Sequence, residues 1–259
     1  MRARHLCLAL LLLSGCSRKG AEATLPAEVK RRLSERDARL TSYRLEGRTT
    51  EAGAEPVSFS FAYRAPQKMR GSLGAPASRI FSWDGERLFE QSDADKHFTT
   101  FNNELSPERR AGFLTETFSP FTPEGFRAPL LPASLSAKRT SHALAPEAVE
   151  LKAQVEDPGS SSLELTYTLR WPSLDFLGKQ TRLADGTLLE TRVEEEQCDK
   201  ALELCVPRRL THWVKAEKAG ETVLSTVELN PTLPNDTFTL VAPGGYEVQT
   251  KTLVDSGGK

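Results

Sequence analysis

Side chains that could carry out chemistry are few in this sequence of 259 residues. It contains four cysteines and four histidines. His97, His142 and His212 do not have the spacing of metal ligands, and the chain contains no His-Glu-x-x-His or Cys-x-x-Cys motif. It also contains no Gly-x-Ser-x-Gly turn for a nucleophilic serine. We therefore expect no catalytic residue, no metal site and no cofactor, and we interpret the protein as a non-enzyme.

The acidic run Glu194-Glu195-Glu196 offers paired carboxylates that could act as acid and base. Adjacent residues of a strand point to opposite faces, so only Glu194 and Glu196 would share a face. We favour a solvated hairpin edge for this run, because charges on an edge strand also discourage pairing with another sheet.

The first sixteen residues have the features of an export signal. Arg2 and Arg4 precede an apolar run, Leu6–Leu13, that as a helix would rise about 12 Å, too little to span a hydrocarbon core of about 30 Å. The run continues into Ser14-Gly15-Cys16 and resembles a bacterial lipobox, in which the signal is removed before the cysteine and the cysteine is lipidated. The alternatives are an ordinary secretory signal with Cys16 as a passenger, or a buried helix start.

The residue after the lipobox cysteine bears on where the protein is anchored. In the best-studied sorting pathway an Asp there retains a lipoprotein at the inner membrane, whereas this chain has Ser17. We expect a cell-envelope protein, lipid-anchored through Cys16 and most favourably placed at the outer membrane, facing the periplasm.

Export would leave Cys198 and Cys205 together in an oxidising compartment. If their flanking segments pair as a hairpin, the two Cα atoms fall within disulfide reach, so we predict a structural disulfide. The alternatives are a redox-active pair, which usually has two intervening residues, and half of a zinc site, for which no further Cys or His lies close enough in sequence.

Charge and composition exclude other classes of protein. The chain has 34 Lys and Arg against 35 Asp and Glu, a balance that argues against a nucleic-acid partner. Apolar residues make up 38% of the sequence, which is low for a globular chain yet enough for a core.

Hydrophobic periodicity predicts one helix followed by many strands. Residues 25–40 have apolar side chains at roughly helical spacing, with Pro26 near the start. Alternation with a period of two follows in residues 57–63, and recurs in residues 149–155, 163–169 and 223–229, between turn signals such as Asp84-Gly85. Strands with one apolar face and tight turns favour an antiparallel sheet over βαβ units.

Residues 106–145 interrupt this alternation. The segment opens with Ser106-Pro107, a favourable helix start, and continues with many Phe, Leu and Pro residues. Aromatic rings at this density need cover, so we expect short helices and irregular chain that cap the curved sheet. The alternative is an ordinary plug of core.

The order of these segments resembles the LolA/LolB group of lipoprotein-localisation proteins. Three stretches carry the resemblance: the helix and strands of Val29–Ala62, the Lys68–Gly74 segment with its Leu before Gly, and the proline-bracketed Pro120–Pro132. The ending Leu229–Leu240 is similar to carrier-type members. The Cys198–Cys205 hairpin departs from what we expect of the receptor member.

The resemblance implies a mainly β (α+β) fold: a curved antiparallel sheet forming a half-open β-barrel, with an N-terminal helix and a central helical lid. It also implies an apolar cavity that holds acyl chains, and Leu73 as an exposed residue that helps to transfer lipid into the membrane. A filled core that binds nothing remains the alternative for the cavity, and an ordinary turn residue for Leu73. One wall of the cavity is assigned to Phe59, Phe61 and Tyr63, and a second wall to Leu163, Leu165 and Tyr167. The lid is assigned to Phe113, Phe118, Phe121 and Phe126.

The expected organisation is a signal peptide (1–15), a tether (16–24), a single LolA/LolB-like domain (25–250) and a disordered tail (251–259). The expected function is membrane-anchored binding of lipid or lipoprotein acyl chains, in lipoprotein localisation or outer-membrane biogenesis, with a periplasmic carrier protein as a partner. The alternatives are an envelope sensor or interaction module resembling the RseB-type regulators, and a structural lipoprotein with a filled barrel.

Overall fold

The computed structural model describes residues 24–76, 78–127, 135–155 and 163–255. The signal segment and Cys16 lie outside the described residues, as does part of the proline-bracketed segment, so the lipidation of Cys16 stays a prediction. In the described part of the chain, no helix is both long enough and apolar enough to cross a membrane.

Helix α1 (Leu25–Arg39) begins with a proline in its first turn, as the sequence predicts. Val29 and Leu33 lie on its buried face, and the charged residues of the opposite face include the ion pair between Arg31 and Glu35. Arg36 lies on the buried face as well, three residues after Leu33, and is only 1% exposed.

Among these described residues, the other main elements are one sheet and a second helix, α2 (Pro107–Phe118), which is followed by a 3-10 turn (Ser119–Phe121). A further 3-10 turn occupies Asn235–Phe238. The strands are β1 (Ser42–Glu51), β2 (Val57–Arg64), β3 (Lys68–Leu73), β4 (Arg79–Trp83), β5 (Arg87–Ser92), β6 (His97–Glu104), β7 (Leu135–His142), β8 (Ala145–Val155), β9 (Leu163–Arg170), β10 (Phe176–Arg182), β11 (Leu188–Asp199), β12 (Leu204–Val214), β13 (Glu217–Leu229) and β14 (Glu247–Val254).

The strands pair in the order β14-β6-β5-β4-β3-β2-β1-β13-β12-β11-β10-β9-β8-β7. Two runs of sequential hairpins are thus joined side by side where β1 pairs with β13. The predicted mainly β class and the large open curved sheet with an N-terminal helix are confirmed.

Two sequence-based expectations about the sheet are wrong. β14 continues to Val254 and pairs in parallel with β6, so residues 251–254 are strand rather than disordered tail, and the sheet is not purely antiparallel. β6 would otherwise leave an unpaired edge, and each residue from Glu247 to Val254 pairs with a residue of that edge. The acidic run lies on β11, where Glu195 and Glu196 pair with β12, while the pairing of β11 with β10 reaches only as far as Arg192.

The disulfide prediction is confirmed. Cys198 and Cys205 are directly opposite each other on β11 and β12 and are joined with an S–S distance of 2.05 Å. The Asp199 carboxylate accepts hydrogen bonds from the backbone N–H groups of Ala201 and Leu202 in the connecting loop. Closing a loop of this size is worth about 2.5 kcal/mol on the entropic estimate.

The core divides into two main clusters that follow the two hairpin runs. The first cluster contains buried residues of β1–β4, α2 and the start of β12. The second cluster contains buried residues of β8–β12 together with Val29 and Leu33 of α1. The segment that follows α2 lies where the two clusters meet, since it contacts both Arg36 and Tyr43.

Candidate functional site

The segment 107–127, which we call the lid segment, covers the inner face of the first half of the sheet. Phe118 and Phe121 are 2% and 1% exposed, and Phe126 is fully buried. All three belong to the first cluster. The predicted central helical lid is thus present, and it fills the concavity rather than only bordering it.

The predicted first wall lies directly under the lid segment. Phe59, Phe61 and Tyr63 are all buried in the first cluster, and the rings of Phe61 and Phe118 have centroids 6.1 Å apart. Tyr43 of β1, which the sequence did not single out, contacts the rings of Phe61, Tyr63 and Phe126 at centroid distances of 5.7, 5.1 and 5.4 Å. Its position on the buried face of a predicted strand was the available signal.

The predicted second wall is in a different place from the first. Tyr167 is buried in the second cluster, Leu165 is half-buried against that cluster, and Leu163 is half-buried and belongs to neither. The two sets of residues that the sequence assigns to two walls of one cavity thus pack into separate clusters.

Two further predicted residues are placed differently from the rest. Phe113 is only partly buried and lines an open groove of about 530 Å³ between α2 and β14. Leu73 ends β3, lies opposite Phe59 and Arg79, and is partly buried against the first cluster. The expectation of an exposed transfer residue at Leu73 is not met, because Leu73 is still part of β3 and its side chain packs against the first cluster.

The wall beneath the lid segment lacks a side chain at Gly71. A Cβ atom built there would lie 2.5 Å from the Phe121 ring, so the ring occupies the space of the missing side chain. Phe121 also contacts Phe81 of β4 at a centroid distance of 5.9 Å. The packing at this point thus depends on a ring that the lid segment contributes.

The space between the lid segment and the second half of the sheet is almost filled. A cavity of about 10 Å³ remains there, too small for a lipid and barely the size of one water. Its lining comprises Leu33, Arg36, Glu124, Gly125, Arg127, Tyr167, Leu169, Leu174 and Phe176.

Polar contacts hold the end of the lid segment. The Arg36 Nη2 donates a hydrogen bond to the Gly125 carbonyl oxygen at 2.5 Å, and the Lys179 Nζ contacts the Glu124 carboxylate at 2.6 Å. The Arg127 guanidinium lies 4.6 Å from the centroid of the Tyr63 ring. Each contact joins the lid segment to a different element, namely α1, β10 and β2.

Burial sets the electrostatics of this region. It is the main cause that lowers the pKa of Arg36, while the nearby carboxylates of Asp175 and Asp37 oppose the change. Burial likewise raises the pKa of Tyr43 far above its ordinary value. The Tyr43 hydroxyl has no hydrogen-bond partner among the described residues.

His212 of β12 provides a pH dependence. Its Nε2 and Nδ1 lie 3.1 and 3.3 Å from the hydroxyls of Thr222 and Thr191, and burial lowers its pKa, although Glu124 and Glu51 oppose this. In the unfolded chain the imidazole of His212 takes up a proton near pH 6.5, whereas in the folded chain it does so only at lower pH. The free energy of unfolding therefore falls as the pH decreases below about 6.5. His142, whose pKa burial also lowers, acts in the same direction.

We expect the His212→Gln variant to lose less stability than the wild type between pH 7 and pH 5. Urea unfolding midpoints measured at both pH values test this. Equal losses in the two proteins would contradict the prediction. In a His142→Gln/His212→Gln double variant, the unfolding midpoint should change with pH even less than in His212→Gln.

Among the described residues, no group of three or more His, Cys, Asp or Glu side chains is arranged to hold a metal ion. The arrangement instead combines a wall of aromatic rings, a covering segment of the same chain and cations at the end of that segment.

Comparison with known proteins identifies the fold. No protein-family model and no curated protein matches the sequence. Among solved structures, a protein domain named for outer membrane lipoprotein sorting, from Vibrio parahaemolyticus, has a TM-score of 0.53 and 11% identity, over 80% of this chain and 94% of that domain. A DUF1329 family protein from Desulfovibrio piger has a TM-score of 0.56 and 9% identity, over 84% and 98%.

Identities this low show the fold alone. The similarity nevertheless spans most of each chain, and the neighbours include the type of domain that the sequence resembles. The protein therefore shares the fold of these two structures, a LolA-like fold, as the resemblance to the LolA/LolB group predicts.

Proposed function

We propose that the protein binds an acyl chain of a lipid or lipoprotein on the inner face of the first half of the sheet, after the lid segment is displaced. On this proposal it acts from the cell envelope, anchored through Cys16 and most favourably at the outer membrane. A periplasmic carrier protein would deliver the chain. It is a binding protein rather than an enzyme.

The packing of Phe121 on Gly71 carries this proposal. The side chains of the sheet do not fill the concavity by themselves. The space above Gly71 is filled by the Phe121 ring of the lid segment. If that segment moves away, the sheet presents the rings of Phe59 and Phe61 around a side-chain-free strip at Gly71. A flexible methylene chain suits such a strip.

The exchange is energetically balanced. Exposing the four buried apolar side chains of the lid segment, Leu114, Phe118, Phe121 and Phe126, costs roughly 6–12 kcal/mol, at about 1.5–3 kcal/mol for each side chain. Burying about ten methylenes returns about 8 kcal/mol, at about 0.8 kcal/mol for each. An acyl chain of ordinary length can therefore replace the lid segment and still be released to a bilayer.

The test is binding of a fluorescent fatty-acid probe to the purified, delipidated protein, together with mass spectrometry of lipids that copurify. We expect the wild type to bind, and Phe121→Ala to bind at least about tenfold more tightly, because less apolar surface is exposed when the lid segment moves. Failure of the wild type to take up any acyl chain would refute the proposal and favour a filled barrel.

Phe89→Ala is the matched control. Phe89 is also buried, at 3% exposure, but belongs to a small separate cluster with Phe98 and Leu240. It should be destabilised by a comparable cavity while its affinity for the probe stays at the wild-type value. A tightening of equal size in both variants would show that general loosening, not the lid segment, controls binding.

A further inference from the structure

Two cations of the sheet and of α1 are held by two consecutive residues of the lid segment. Lys179 on β10 contacts the Glu124 carboxylate at 2.6 Å, and Arg36 on α1 donates to the Gly125 carbonyl at 2.5 Å. Neither cation belongs to the lid segment itself. Displacing the lid segment therefore removes an acceptor from both of them in one movement.

Neither cation is free in solvent when the lid segment is in place. Arg36 is 1% exposed, its Nε lacks a hydrogen-bond partner among the described residues, and the carboxylates of Asp175 and Asp37 lie at 3.7 Å. Lys179 lies 5.6 Å from the centroid of the Tyr167 ring. Burial alone would lower the pKa of Lys179, but Glu124 and Tyr167 together raise it, so the side chain stays charged.

Losing these acceptors has different consequences for the two cations. Arg36 keeps Asp175 as a counterion, whereas Glu124 is the one carboxylate within ion-pair distance of Lys179 in the described part of the chain. A partly buried ammonium without its acceptor is costly. Whatever replaces the lid segment is therefore favoured if it brings a negative charge to Lys179.

We propose that Lys179 and Arg36 form a binding site for the anionic head of an amphiphile, a carboxylate or a phosphate, whose acyl chain occupies the inner face. In the closed protein, Glu124 and Gly125 occupy the places of the ligand's acceptor oxygens. This inference rests on the proposed function and adds to it the chemical class of the ligand. The head lies where the two clusters meet, and the chain extends over Gly71 in the first.

Three ligands with the same twelve-carbon chain test the site: dodecanol, dodecanoate and dodecyl phosphate. Calorimetric titration of the purified protein at pH 8 compares a neutral head with the two anionic heads. We expect at least one of the two anionic ligands to bind about tenfold more tightly than dodecanol, or tighter still. The anion that binds more tightly shows whether the site prefers a carboxylate or a phosphate head.

Variants assign this preference to the contact between Lys179 and Glu124. Lys179→Gln should bring the affinity for the anionic ligand close to that for dodecanol, while Glu124→Gln should tighten anionic binding because the competing carboxylate is gone. Lys138→Gln is the matched control, since Lys138 is also paired with a carboxylate, Glu150, but its side chain is 69% exposed on β7. It should keep the wild-type preference. Circular dichroism confirms that each variant is folded.

The outcomes separate the two proposals. If no dodecyl ligand binds, the proposed function itself fails. If all three bind equally well, acyl-chain binding stands and the anionic site is overturned. The site is overturned as well if Lys179→Gln keeps the full preference for the anion.

Discussion

Asp175→Ala is expected to destabilise the protein by about 3–5 kcal/mol, because it leaves the buried Arg36 guanidinium without its main counterion. The Asp175 carboxylate is 2% exposed, lies 3.7 Å from both the Arg36 and Arg170 Nε atoms, and accepts a hydrogen bond from Ser173 at 2.7 Å. Urea unfolding followed by circular dichroism measures the free energy.

The double variant Arg36→Met/Asp175→Ala isolates the cause. Removing both charges should recover a large part of the loss, since no buried guanidinium then remains unpaired. Glu228→Ala is the control, because the Glu228–Arg44 pair is nearly half exposed and should change stability by less than about 1 kcal/mol. A loss below 1 kcal/mol for Asp175→Ala, or a double variant less stable than the single one, would contradict this account.

Phe126→Ala is expected to cost about 3–5 kcal/mol and to loosen the lid segment selectively. Phe126 is fully buried beside Tyr43, and it follows Gly125, whose positive φ of 94° places the chain against Phe176 and Pro207. A Cβ at Gly125 would lie 2.8 Å from the Cβ of Phe176, so the segment fits closely there. Without the Phe126 ring, this part of the lid segment loses its buried contact with Tyr43.

Hydrogen exchange distinguishes local opening from global unfolding. If the lid segment opens locally, the backbone amides of α2 should exchange about 100- to 1,000-fold faster in Phe126→Ala. Leu151→Ala, which removes a buried side chain of the second cluster, is the control. It should lose a comparable stability, about 2–5 kcal/mol, without a selective increase in α2. Equal acceleration in both variants would show that the lid segment does not open separately.

The elements with a clear period were predictable from sequence. The apolar spacing of residues 25–40 predicts α1, the alternation of residues 57–63 predicts β2, and the cysteine spacing predicts the β11–β12 disulfide. Each of these signals is local, because it depends on side chains that are neighbours on one helix or one hairpin.

Contacts between distant segments were not predictable in the same way. Nothing local to Lys179 indicates that Glu124, 55 residues away, supplies its carboxylate. The parallel pairing of β14 with β6 likewise depends on which edge of the sheet remains open. Arg36 is an intermediate case: its helical spacing from Val29 and Leu33 placed a cation on the buried face, a signal that sequence reasoning missed.

The joint between β1 and β13 has a consequence for how the protein forms. Most strand pairs are neighbours in sequence, but Tyr43 lies opposite Leu229. Closing so long a stretch of chain is entropically unfavourable and slow compared with forming hairpins. We therefore expect two hairpin runs to assemble early and to join late. On the proposed route through the cell envelope, β1 stays unpaired on one side until β13 has crossed the membrane, and the amino-terminal run is open to aggregation or to a chaperone during that time.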